Sequence, residues 1–167
     1  MSRAFVKEGD NALEPLPDLP LSPHPNFVTP RGLAALKLRL QHKQSDLATL
    51  RARIERMDKL PEAAAERDIR YLEARLRTAI LHDPASLPLT EVAFGLCVTV
   101  IDDRGTQSIF EITGEDEADA PNGRIAPHSP LARALMGAQV GDEVTWRRPS
   151  GTSTLEIRKI SYADTHA

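Results

Sequence analysis

The sequence predicts an α+β chain: an antiparallel helical hairpin, of the coiled-coil kind, followed by a small sheet-rich domain. Three observations carry this. Leu33, Leu36, Leu40, Leu47, Leu50, Ile54 and Met57 recur at steps of three and four, with one step of seven at Lys43. Ala65, Ile69, Leu72, Leu76 and Ala79 repeat the pattern beyond Pro61. From Val92 onward the apolar period falls to that of strands.

Residues 1–28 form an extension carrying Pro15, Pro17, Pro20, Pro23 and Pro25. Fixed φ angles and missing amide donors predict extended or disordered chain there. Thr29 suits a helix N-cap and Pro30 the first helical position, so a helix is expected from there to about Asp58. Asp58-Lys59-Leu60-Pro61 makes the tip. Pro61 opens the returning helix, and Glu62 lies at the positive end of its dipole. The return is expected to end near His82, because Asp83-Pro84 cannot continue it. The hairpin arm thus covers 29–83 and a linker 84–90.

The remaining domain spans 91–163. Val98 to Ile101 and Ser108 to Thr113 read as a strand pair around the turn Asp102-Asp103-Arg104-Gly105. Gly123 to Ala126 is a third strand. Ser129 caps a short helix ended by Gly137. Val144 to Trp146 and Leu155 to Ile160 close the sheet around Pro149-Ser150-Gly151. Phe94, Phe110, Leu135, Trp146 and Ile157 are the expected core. Cys97, the single cysteine, reads as a buried small hydrophobe and fits a reducing cytoplasm.

Composition excludes several function classes. The 167 residues hold 21 basic and 24 acidic side chains, a net charge of −3, so no whole-protein field draws the chain to nucleic acid. The basic residues cluster on the arm (Arg31, Lys37, Arg39, Lys43, Arg51, Arg53, Arg56), and an acidic segment from Asp102 to Asp119 balances them. Both read first as solvated faces; the basic one could also meet RNA or an acidic partner wall. The run from Val92 to Ile101 is too short to span a bilayer, and the start has no secretory apolar stretch. No glycine-rich phosphate loop occurs. The five histidines have no ligand spacing, so no cofactor of the chain's own is expected.

Several segments in fixed order carry a more specific signal. They are Thr29-Pro30-Arg31-Gly32-Leu33, Phe94-Gly95, Ile112-Thr113-Gly114-Glu115-Asp116-Glu117-Ala118-Asp119, Ser129 to Gly137, Val140-Gly141-Asp142 and Arg148-Pro149-Ser150-Gly151. Taken together they resemble the GreA/GreB family of bacterial transcription elongation factors, over about Thr29 to Tyr162. The resemblance implies a coiled coil that enters the secondary channel of RNA polymerase and an FKBP-like domain docked at the channel rim. It implies rim contact through Ser129, Pro130, Leu131, Ala132 and Arg133, whose bottom-up role is a capped helix start. It also implies an acidic pair at the tip, Asp58 and Glu62 here, sharing a magnesium ion with the polymerase during cleavage of backtracked RNA. Such a factor is not itself an enzyme.

The chain departs from that pattern in its tip and its arm. Pro61 separates Asp58 from Glu62, which also serve as ordinary helix-end residues. The arm is roughly fifteen residues short, which at about 1.5 Å per residue along two strands removes on the order of 11 Å of reach. That likens it to the short-armed Rnk-type relatives, which occupy the same surface without cleaving. The alternatives are a genuine cleavage factor, an FKBP-like isomerase or chaperone, and a self-associating scaffold. The tight Pro61 turn favours pairing within one chain, hence a monomer.

Overall fold

The entry to the first helix is set by Thr29, whose hydroxyl accepts the Gly32 amide at 2.9 Å while Pro30 occupies the first helical position. A computed structural model of the chain describes residues 14–55 and 58–163. Helix α1 runs Pro30–Arg51 and α2 runs Leu60–Arg77, packed antiparallel. Their shared core is narrow. Leu36 and Leu72 are buried with Val28, and Leu33, Leu40, Tyr71, Leu76 and Ala79 pack around them. Leu47, Ala63 and Ala65 are buried nearer the tip. Lys43 meets Asp68 at 3.1 Å and Arg51 meets Glu66 at 2.6 Å across the pair.

Both helices stop short of expectation. Helix α1 ends at Arg51 rather than near Asp58, and Ile54 is fully exposed instead of continuing the stripe. Because α2 begins only at Leu60, further turns of α1 would face no partner, and packing of an apolar face supplies most helical stability. Met57 and Arg56 lie outside the described residues. Helix α2 ends at Arg77 rather than near His82, because Ile80–Leu81 (β2) pairs in parallel with Phe27–Val28 (β1). The Ile80 and His82 amides donate to the carbonyls of Asn26 and Val28 at 2.8 and 2.9 Å.

The platform is a five-stranded sheet of β3 (Leu96–Asp102), β4 (Gln107–Ile112), β5 (Arg124–Ile125), β6 (Glu143–Arg148) and β7 (Gly151–Tyr162). The order is β5-β4-β3-β7-β6, antiparallel except for β4 with β5. Alternation, with a bulge in β7 opposite Thr99 and Val100 that skips Arg158, puts Leu96, Val98, Val100, Ile112, Leu155, Ile157 and Ile160 on one face, which helix α3 (Pro130–Leu135) covers with Leu131, Ala132 and Leu135. Phe94, Phe110 and Trp146 pack against this core half-buried rather than forming its centre, and Cys97, on the alternate face of β3, is half-buried too. Gly123 holds φ +79°, and a Cβ there would stand 2.6 Å from the Ile109 carbonyl, so a bare backbone is required to bring β5 alongside β4.

Residues 1–13 of the proline-bearing extension lie outside the described residues. Residues 14–26 run as extended chain over α2 and the platform. Among the described residues, no helix is long and apolar enough to cross a membrane.

Candidate functional site

Three places carry the residues that the sequence singles out: the hairpin tip, the junction between hairpin and platform, and the start of α3. At about 1.5 Å per residue, the 22 residues of α1 lift the tip roughly 33 Å from its base.

At the tip, Asp58 is exposed and its Oδ1 accepts the Leu60 amide at 2.9 Å, holding the entry to α2. Glu62 stands in the first turn of α2 and is only 8% exposed. The two carboxylates therefore do not form an outward-facing pair. Of the pair that the resemblance assigns to a shared magnesium ion, Asp58 thus offers an exposed carboxylate and Glu62 a buried one. Among the described residues, no cluster of three or more histidine, cysteine or carboxylate side chains could hold a metal. The tip surface instead exposes Ile54 and Leu60.

At the junction the platform's acidic stretch is read by the bases of both helices. Arg31 bridges Glu117 at 2.6 Å and Glu111 at 2.8 Å. The Thr29 hydroxyl donates to the second oxygen of Glu117 at 2.8 Å. From α2, Arg75 is 3% exposed and donates to Asp116 at 2.5 Å and to Glu115 at 3.4 Å. Tyr71 donates to the other oxygen of Asp116 at 2.7 Å. A Cβ on Gly32 would come within 2.6 Å of a Glu117 oxygen, and one on Gly114 within 2.6 Å of the Phe27 carbonyl, so small residues allow the close approach on both sides.

This junction makes the acidic run a structural partner of the arm, a role that reading both as solvated faces missed. The signal was present: a short run of consecutive carboxylates in the platform, and arginines at the start of one helix and the end of the other. Of the arm's basic residues, Arg31, Lys43 and Arg51 are engaged internally, while Lys37, Arg39 and Arg53 remain exposed. Burial works against the ionised carboxyl of Asp68, but hydrogen bonds from Lys43 and Arg67 outweigh it and hold its pKa below the ordinary carboxylate range.

Burial, then the hydrogen bond to Asp116, pushes the Tyr71 phenol up to about 12. A raised folded-state pKa favours the protonated form, so Tyr71 contributes its full stabilisation below the unfolded phenol value near 10, and loses it as pH climbs toward about 12. Absorbance titration at 295 nm is expected to show one of the two tyrosines ionising late, with Tyr71→Phe removing that phase. A late phase surviving the substitution would contradict the assignment.

At the platform's edge, the Ser129 hydroxyl accepts the Ala132 amide at 3.2 Å and caps α3. Leu131 and Ala132 are buried in the platform core; Pro130 and Arg133 are exposed. The five residues singled out from sequence thus divide into a cap, two core contacts and two surface side chains. His128, directly before the cap, stacks on His24 with ring centroids 3.8 Å apart, and its Nε2 lies 3.3 Å from Glu115 without hydrogen-bond alignment. Burial, then His24, holds the His128 pKa below the ordinary histidine range; Glu115 opposes this and Arg133 adds to it.

Comparison with known proteins places these features in context. Residues 87–162 match the family model described as transcription elongation factor, GreA/GreB, C-terminal. The transcription elongation factor GreA of a Psychrobacter species is 37% identical over 152 residues, covering 81% of this chain and 96% of that protein. GreA of Rhodopseudomonas palustris is 34% identical, with the same shares of 81% and 96%. A match to GreA of Thermodesulfovibrio yellowstonii, 42% identical, spans 60% of that protein's length. Among solved structures, the GreA factor homolog Gfh1 of Thermus thermophilus aligns with TM-score 0.38 and 22% identity over 82% of this chain and 99% of that one. The GreA/GreB factor of Nitrosomonas europaea gives TM-score 0.42 and 20% identity, over the same shares of 82% and 99%.

Proposed function

The chain belongs to the GreA/GreB family of transcription elongation factors, and from that premise we propose that it binds RNA polymerase without stimulating transcript cleavage. In this reading the platform docks at the rim of the secondary channel through the exposed Pro130 and Arg133, and the hairpin enters the channel. The factor supplies no catalytic groups and acts as a monomer, modulating elongation by occupying the channel.

The observation that carries the non-cleaving reading is the tip: Asp58 is committed to the α2 entry and Glu62 is buried. Arm length supports it. The Psychrobacter alignment has 152 positions, and 81% of 167 residues is about 135, so about 17 positions of the relative have no counterpart here. In this reading those positions fall in the hairpin, as the resemblance implies, and spread along two helical strands they shorten the arm by on the order of 13 Å, whereas metal–oxygen bonds tolerate tenths of an ångström. Exposed Lys37, Arg39 and Arg53 offer cations to RNA or to acidic channel walls, which would make binding weaken with salt.

Two assays test this. Core RNA polymerase is expected to retain the chain at physiological salt, and Arg133→Glu to weaken retention about tenfold, the effect of removing one arginine anchor from an interface. A backtracked complex supplied with magnesium is expected to keep its RNA at full length. Absence of association overturns the reading. Shortened RNA that Asp58→Ala restores to full length establishes instead a genuine cleavage factor.

A further inference from the structure

We propose that residues 14–26 act as a strap that ties the hairpin to the platform and holds the two at one angle. The strap touches both bodies. Toward α2, Asp18 meets Arg70 at 2.6 Å, and the same guanidinium donates to the Leu16 carbonyl at 2.8 Å. Toward the platform, the Ser22 hydroxyl donates to Glu115 at 2.7 Å and the His24 ring lies on His128. Asn26, buried where the strap ends, donates to the Arg75 carbonyl at 2.7 Å and to the Thr78 hydroxyl at 3.2 Å.

Geometry gives these contacts a mechanical role. Among the described residues, the polar side-chain pairs that link hairpin to platform directly (Arg31, Thr29, Arg75 and Tyr71) converge on Glu111 and on Glu115 to Glu117, and Phe27 and His82 add ring contacts to Phe94. These attachments sit at the base of the hairpin, where they resist separation more than rotation of the arm. The strap adds an attachment farther from that base, at Arg70, five residues or about 7.5 Å farther up α2 than Arg75, while its other end grips Glu115 and the adjoining His128. Pro15, Pro17, Pro20, Pro23 and Pro25 restrict the free segment, so little chain entropy is lost when it docks. Asp18 is 74% exposed, so its ion pair contributes only modestly and docking is reversible, whereas reversing its charge adds repulsion from Arg70 to the loss of the pair. The strap's platform end borders α3, where its release would alter the neighbourhood of Pro130 and Arg133.

The test uses the full chain in a Cys97→Ser background with paired cysteines for distance measurement. Leu21→Cys with Glu73→Cys reports docking; Ser45→Cys with Gln107→Cys reports the angle between hairpin and platform. Asp18→Arg is expected to lower the docked-to-released ratio about fivefold and to broaden the second distribution, at unchanged melting temperature. The swap Asp18→Arg with Arg70→Asp should bring both back toward the parent. Ser22→Ala with His24→Ala, which leaves Arg70 untouched, should broaden the second distribution as well. The proposal is overturned if the first pair never shows release, or if release leaves the hairpin–platform distribution unchanged. Neither readout involves polymerase, so failure here is separable from failure of the functional reading.

Discussion

Arg75→Ala is expected to cost about 3–5 kcal/mol, read as a lowered urea midpoint, because it breaks a buried ion pair from one side only. Arg75 is 3% exposed and the Asp116 side chain 10% exposed. Truncation leaves the Asp116 carboxylate out of water with Tyr71 as its remaining hydrogen-bond donor. Glu115 fares better, since Ser22 still donates to it. The loss falls on the seam between hairpin and platform, so unfolding should split into two transitions, the hairpin melting first. Replacing both partners by apolar residues, Arg75→Met with Asp116→Leu, should recover most of the loss, since no uncompensated charge stays buried. A single unshifted transition for Arg75→Ala would show that the pair adds nothing to the coupling.

Much of this architecture was legible because its elements announce themselves locally. Thr29-Pro30, Pro61 and Ser129-Pro130 each combine a cap or a fixed φ with the onset of an apolar period, and each marks a helix start in the structure. The platform strands were legible from alternation, down to the short β5 after Gly123. Helix ends were not, because they depend on what faces them. Nothing about Ala52 to Glu55 forbids a helix; α1 stops because α2 begins at Leu60 and leaves no surface to pack on. Likewise Ile80 and Leu81 leave the helix because β1 presents unpaired backbone groups beside them, a contact between residues more than fifty apart.

The candidate site was legible in a similarly uneven way. The resemblance picked out Ser129 to Arg133, but only the structure separates exposed Pro130 and Arg133 from buried Leu131 and Ala132. It also picked out Asp58 and Glu62 by position in the chain. Position along a helix start does not fix which way a side chain turns, and Glu62 is buried. The junction stayed hidden for a further reason. Charge runs usually mark solvated faces, and pairing of Arg31 and Arg75 with carboxylates 40 or more residues away is a tertiary fact with no local signature.

Leu72→Ala is expected to be the most damaging apolar truncation in the hairpin, at about 2–5 kcal/mol. Leu72 and Leu36 are each 2% exposed, and with Val28 they make up the fully enclosed part of the hairpin's base cluster among the described residues. A two-helix arm has no second layer to relax into the void, so the cavity cost is retained in full. The platform has its own larger core, from Val92 to Ile160, and does not share this side chain. Far-UV circular dichroism should therefore lose helical signal at a temperature where Trp146 fluorescence is still native. Ile54→Ala supplies the contrast within the same arm: that side chain is fully exposed, and its truncation should stay within about 0.5 kcal/mol of the parent. Equal losses from the two substitutions would mean that the hairpin draws its stability from the tip as much as from the base, and the narrow-core account of the arm would fail.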